Sequence, residues 1–178
     1  MTLAAFALAA ALAREPESDW RYGDCRLLLT DLPASAPRFE QYRVDVERVP
    51  KPAAPRMGAA DTRLFRTQLR TQAREGTNFA GHFHLAIWGC GAGCAEFAAV
   101  NLRTGAVAFP PGFRTINQIA ASPLEPLLYR PDSRLMIVTG APDEDFSRLE
   151  VRFLIPKDGR LKLIRRFSYA DVCPPKPN

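Results

Sequence analysis

The stretch from Gly81 to Leu102 constrains the fold more than any other part of the chain. His82-Phe83-His84-Leu85-Ala86-Ile87-Trp88 and Ala95 to Leu102 both carry the period-two pattern of a strand, with a glycine-rich turn, Gly89 to Cys94, between them. A hairpin centred on Ala92 pairs Ile87 with Phe97 and Leu85 with Ala99, apolar against apolar. A one-residue slip would turn that whole set to the other face, so the pattern fixes the register. The second face then carries His82, His84, Ala86 and Trp88 beside Glu96, Ala98 and Val100.

The rest of the chain reads as more short strands. With 178 residues, 47% of them hydrophobic and 24% charged, it fits one ordinary domain, and 16 Pro and 11 Gly exclude a bundle of long helices. Gln41 to Val49 alternates, with Tyr42, Val44 and Val46 on one face. Asp61 is the expected N-cap of a helix running to Glu75, where Gly76 ends it. Leu64, Phe65, Leu69 and Ala73 share one side of that helix, and Arg63, Arg66, Arg70 and Arg74 line the other. Thr104-Gly105 turns the chain into Ala106 to Phe109, and Arg134 to Thr139 is a further strand. Arg148 to Ile155 and Leu161 to Phe167 flank Lys157-Asp158-Gly159; a three-residue loop pairs Ile155 with Leu161 and Phe153 with Leu163, with Gly159 left-handed. The expected class is α+β, mainly antiparallel β, with about seven short strands and one amphipathic helix. Val100 to Val107 and Tyr129 to Val138 resemble strand-and-turn pieces of propeller blades. Two such pieces cannot close a ring, so open, propeller-like meanders are the most they imply.

Leu3 to Ala13 is an uncharged apolar run, too short for the roughly 20 residues of a membrane span, and Ala11-Leu12-Ala13 has the A-x-A form of a cleavage site. No Lys or Arg precedes the run, as one would in a usual secretory leader, so an upstream start would complete it. The expectation is a signal peptide over 1–13, a single disulfide-stapled β-rich domain over 14–178, and a periplasmic or extracellular location. Outside the cytosol an even number of cysteines implies disulfides. The simplest pairing joins Cys25 to Cys173 across the chain and Cys90 to Cys94 across the glycine turn.

Chemistry-bearing residues concentrate in Asn78-Phe79-Ala80-Gly81-His82-Phe83-His84 and Trp88-Gly89-Cys90-Gly91-Ala92-Gly93-Cys94. With the Arg-rich helix and Asp132-Ser133-Arg134-Leu135, these strings resemble a group of uncharacterised exported bacterial proteins with an N-F-A-G-H then W-G-C-G-x-G-C signature. The resemblance covers about residues 60 to 140 and implies no activity for any residue.

Two His and two Cys within thirteen residues could in principle hold zinc or support thiol catalysis. However, Cys90 lies roughly 20 Å along an extended strand from His84, and exported thiols are expected to be bonded. Glu96 faces Trp88, about 13 Å from His84, too far for a shared acid–base role. No catalytic residue, metal or cofactor is therefore assigned. The main expectation is a non-enzymatic envelope binding protein with a candidate surface of Trp88, His82, His84 and the four arginines. An inhibitor or immunity protein is one concrete form, resting on size and compartment. The alternatives are a small thiol- or metal-dependent envelope enzyme using His82, His84, Cys90 and Cys94, and a domain that binds an anionic ligand through Arg63, Arg66, Arg70 and Arg74. Nucleic acid is not expected as a partner despite the net charge of +5, because aromatics do not interleave with the basic residues and Asp143-Glu144-Asp145 compensates them. No transmembrane segment is expected.

Overall fold

The computed structural model describes residues 29–117 and 125–172. Cys25, Cys173 and the apolar run 1–13 lie outside the described residues. The elements are, in order, α1 (Ala60–Leu64), α2 (Arg66–Ala73), β1 (Phe83–Gly91), β2 (Cys94–Asn101), β3 (Val107–Ala108), β4 (Thr115–Asn117), β5 (Leu127–Arg130), β6 (Ser133–Pro142), β7 (Glu150–Lys157), β8 (Arg160–Ser168) and α3 (Tyr169–Val172), preceded by short 3₁₀ turns at Leu29–Asp31 and Phe39–Tyr42. All strand pairs are antiparallel, in one sheet of order β1-β2-β4-β6-β7-β8, with β3 on β2 and β5 on β6. The chain is thus α+β and mainly antiparallel β, an open sheet rather than separate propeller blades.

The β1–β2 register is the expected one: Ile87 faces Phe97, Leu85 faces Ala99 and Trp88 faces Glu96. Two covered faces explain why both parities of these strands are apolar. Leu85, Phe97 and Ala99 join Ile116, Met136, Val138, Leu154 and Leu161 in a core on one face. Ala86, Trp88, Ala98 and Val100 lie on the other, under Leu69 and Ala73 of α2. The β6–β8 part has its own outer core, Leu135, Ile137, Val151, Phe153 and Phe167, closed by Leu32, Ala36, Phe39, Tyr169 and Val172. β3 lies against β8, neighbours in space but not in the ladder. The sheet therefore curls, and the curl brings the start of β1 toward the β7–β8 turn.

The structure corrects several expectations. Gln41 to Val49 is not a ladder strand: Tyr42 ends a 3₁₀ turn, Arg43 makes one isolated bridge to Ser133, and Val46 is exposed. The segment instead forms a strap. The Val44 N–H donates to the Asp132 carbonyl (3.0 Å), Glu47 to Gly81 (2.7 Å), Ala53 to Leu102 (2.7 Å) and Arg56 to Gly105 (2.7 Å). Pro50, Pro52 and Pro55 lack the N–H a continuous ladder needs.

The single helix 61–75 is two, divided at Phe65 (φ −98°, ψ 20°). Its N-cap is Ala59 rather than Asp61. Thr62 Oγ1 accepts from the Ala59 N–H (3.2 Å) and donates to the Ala59 carbonyl (2.7 Å), while Asp61 pairs with Arg114 at 3.1 Å. Leu64, expected on the buried side, is exposed because the Phe65 turn leaves it off the face that holds Leu69 and Ala73.

The β7–β8 loop has two residues, not three: Lys157 pairs with Arg160 and Ile155 with Lys162. Asp158 and Gly159 both take positive φ (53° and 72°), as an Asp-Gly hairpin turn favours. In that register Leu154 meets Leu163, and beyond it a bulge between Phe153 and Leu154 shifts the ladder so that Phe153 faces Arg165 and Val151 faces Phe167. Finally, the short strand β4 is additional, and β5 with β6 forms the hairpin whose Tyr129 to Val138 part the sequence shows as a strand-and-turn piece.

Candidate ligand pocket around His82

The sequence string Asn78 to His84 builds a corner. The Asn78 side chain acts as a surrogate strand. Its Oδ1 accepts from the Leu85 N–H (2.6 Å) and its Nδ2 donates to the Leu85 carbonyl (3.2 Å). Phe79 is fully buried against Phe83 and Tyr129. Ala80 and Gly81 turn through positive φ (50° and 82°) and donate their N–H groups to the Arg130 (3.3 Å) and Pro131 (2.7 Å) carbonyls. A Cβ on Gly81 would stand 2.7 Å from the Asp45 carbonyl oxygen, so glycine is required by space as well as by φ.

The two histidines have different surroundings. His84 is buried: its Nδ1–H donates to the Gly76 carbonyl at 2.6 Å, and its Nε2 accepts from Asn78 Nδ2 at 3.4 Å. It pins the end of α2 to the sheet. His82 is half-buried and lies 3.4 Å from Asn101 through Nε2. Asn101 Oδ1 already accepts from the Arg103 (3.0 Å) and Thr104 (3.1 Å) N–H groups, so its Nδ2 faces the ring and His82 Nε2 is the acceptor. Burial holds the His82 pKa below its ordinary value, the Arg103 charge lowers it further, and Glu47 partly opposes both. The ring is neutral at neutral pH, with its proton on Nδ1.

His82 borders a pocket of about 500 Å³ at the mouth of the curled sheet. Its apolar wall comes from Phe83, Ala80, Ala108 and Pro156, and the strap adds Val44 and Asp45. Arg103, Arg134, Lys157 and Arg160 face it as cations, against Asp45 and Asp158 as carboxylates. Arg103 is engaged by Glu47, Nε to Oε2 at 2.8 Å. Arg134, Lys157 and Arg160 make no ion pair among the described residues.

The expected surface is not assembled as a unit. Trp88 is buried at 9% exposure, stacked on Phe65 with centroids 4.6 Å apart and set edge-on to Phe109 under α2; His84 is 3% exposed. Neither belongs to an exposed surface, because the helix that carries the arginine stripe covers that sheet face. Arg63, Arg66, Arg70 and Arg74 are exposed, with Arg63 alone on α1, where it donates to the Gly58 carbonyl at 3.0 Å. Cys90 and Cys94 are joined in a disulfide that closes the exposed glycine turn at the other end of β1. His82 and that disulfide are therefore about 20 Å or more apart at strand rise. Among the described residues no three His, Cys, Asp or Glu side chains gather as a metal site would require, and no helix is long and apolar enough to cross a membrane.

Sequence reading missed Asn101, Arg103, Arg134 and the Lys157–Arg160 turn as neighbours of His82. One signal was present: two strings of the resemblance, Asn78 to His82 and Asp132 to Leu135, meet here. Gly81 bonds the residue before Asp132, and His82 and Arg134 line the same pocket. No family model, curated protein or solved structure matches the chain.

Proposed function

We propose that the chain is an exported, non-enzymatic binding domain whose ligand occupies the His82 pocket. The observation that carries this reading is the pocket itself. It is a concave site within the size range of small-ligand sites, with an apolar wall, a few convergent polar groups and three cations that make no ion pair among the described residues. A binding role fits the chemistry better than thiol or metal catalysis, because Cys90 and Cys94, the two cysteines among the described residues, are bonded to each other at the far end of β1, and His82 has no nucleophile or carboxylate hydrogen-bonded to it among the described residues. Export is supported by the apolar run ending in Ala11-Leu12-Ala13 and by the disulfide, which persists in oxidising compartments.

Expression of the full chain in a Gram-negative host, followed by fractionation and intact-mass measurement, tests the export half. The expected product is periplasmic, begins near Arg14 and has no alkylatable thiol. A cytoplasmic product with an intact leader contradicts it. For the binding half, Ala106 lines the pocket, and Ala106→Trp is expected to fill it and abolish small-ligand binding while leaving the unfolding transition in place.

A further inference from the structure

Resting on the pocket reading above, we infer that the ligand is an amphipathic organic anion, a flat apolar body carrying one acidic group. The two halves of the pocket make different demands. Its interior, Phe83, Ala80, Ala108 and Pro156, offers no charge and only small or flat surfaces. Phe83 is tilted against the His82 ring at 4.7 Å between centroids, so a ring or planar ligand meets an aromatic wall. An inorganic ion would leave most of the roughly 500 Å³ unfilled.

The rim sets the charge. Arg134, Lys157 and Arg160 come from β6 and the β7–β8 turn, they are exposed, and they have no ion pair among the described residues. A carboxylate, sulfonate or phosphate at the mouth would receive charge-assisted hydrogen bonds from the guanidinium groups. His82 adds a directed donor. Asn101 holds Nε2 as an acceptor, which leaves Nδ1–H as the ring's donor, without a partner among the described residues. Asp45 and Asp158 also face the pocket, so the surplus of cations is modest and suits a single acidic group better than a polyanion.

Fluorescence titration of the mature protein with two probes of one shape tests this. Anilinonaphthalene sulfonate carries the acid; N-phenylnaphthylamine is its neutral counterpart. The sulfonate is expected to bind one per chain and about tenfold tighter than the amine, the scale of one charge-assisted contact. The double variant Arg134→Gln/Arg160→Gln should weaken the sulfonate by about tenfold or more and leave the amine unchanged. Both side chains are exposed, and thermal unfolding of the variant verifies that it folds. Equal affinity for the two probes, or sulfonate binding indifferent to the double variant, overturns the anion assignment while a pocket for apolar ligands stands. Sulfonate binding that survives Ala106→Trp, or no binding of either probe, overturns the pocket reading and the ligand class together.

Discussion

His82 and His84 are two residues apart in one strand segment, and their environments explain why only one is available to a ligand. The His84 ring spends both nitrogens on Gly76 and Asn78 inside the protein. His82 has one nitrogen held by Asn101 and lies at a pocket edge. Because its folded pKa is depressed below 6.5, the folded state binds the proton less readily than the unfolded chain. The resulting stability is complete above 6.5 and is lost as pH falls through the folded value. Denaturant unfolding across mildly acidic pH should therefore show stability decreasing in that window, and His82→Gln should remove that part of the slope. A profile identical in the variant would mean the ring's environment is wrong. Gly81 is a second sharp test. Gly81→Ala must put a Cβ against the Asp45 carbonyl at positive φ, which should cost about 1 to 3 kcal/mol in urea unfolding.

The β1–β2 hairpin was legible because its two strands are regular across seven pairs and only one register buries Leu85, Ile87, Phe97 and Ala99 together. The β7–β8 hairpin was misread for a corresponding reason. Matching Ile155 to Leu161 assumes a three-residue loop and an unbroken ladder, whereas the Asp158-Gly159 turn pairs Pro156 with Leu161 and Leu154 with Leu163, and a bulge at Phe153/Leu154 then sets Val151 opposite Phe167. Turn chemistry sets the register next to the loop, and a bulge can reset it further along. Gly159→Ala should accordingly destabilise by about 1 kcal/mol, since alanine resists the left-handed region. The strap 43–56 alternates like a strand, but its prolines and its spread-out partners, Asp132, Gly81, Leu102 and Gly105, keep it off the sheet. On the helical layer, Leu69 of α2 is fully buried against the sheet, and Leu69→Ala should cost about 2 to 5 kcal/mol by calorimetry or urea unfolding. Removing the Cys90–Cys94 bridge by a double Ser substitution should cost no more than about 2 kcal/mol on the chain-entropy account, because so short a loop restrains the unfolded chain little. Probe affinity should be unchanged in that variant, since the bridge lies at the opposite end of β1 from the pocket.

At the scale of the molecule, class and strand content follow from local alternation, whereas the pocket follows from the curl. Phe83, Arg134 and Lys157 are far apart in sequence and meet only when β3 lies against β8 and the strap passes Gly81. No spacing rule encodes that meeting. The Arg63 to Arg74 stripe, by contrast, was obvious in the sequence and is an exposed helix surface, and Trp88 looked available only because nothing in the hairpin pattern reveals that the neighbouring helix packs over it. The proposed ligand therefore sits at the mouth around His82 rather than on α2. Amide-resolved NMR of the mature protein during titration with anilinonaphthalene sulfonate tests it most directly. Saturable shifts are expected at His82, Phe83, Asn101, Arg134 and Gly159, with Arg66, Arg70 and Arg74 unmoved. Shifts centred on Arg66 to Arg74, with His82 and Arg134 silent, would contradict it.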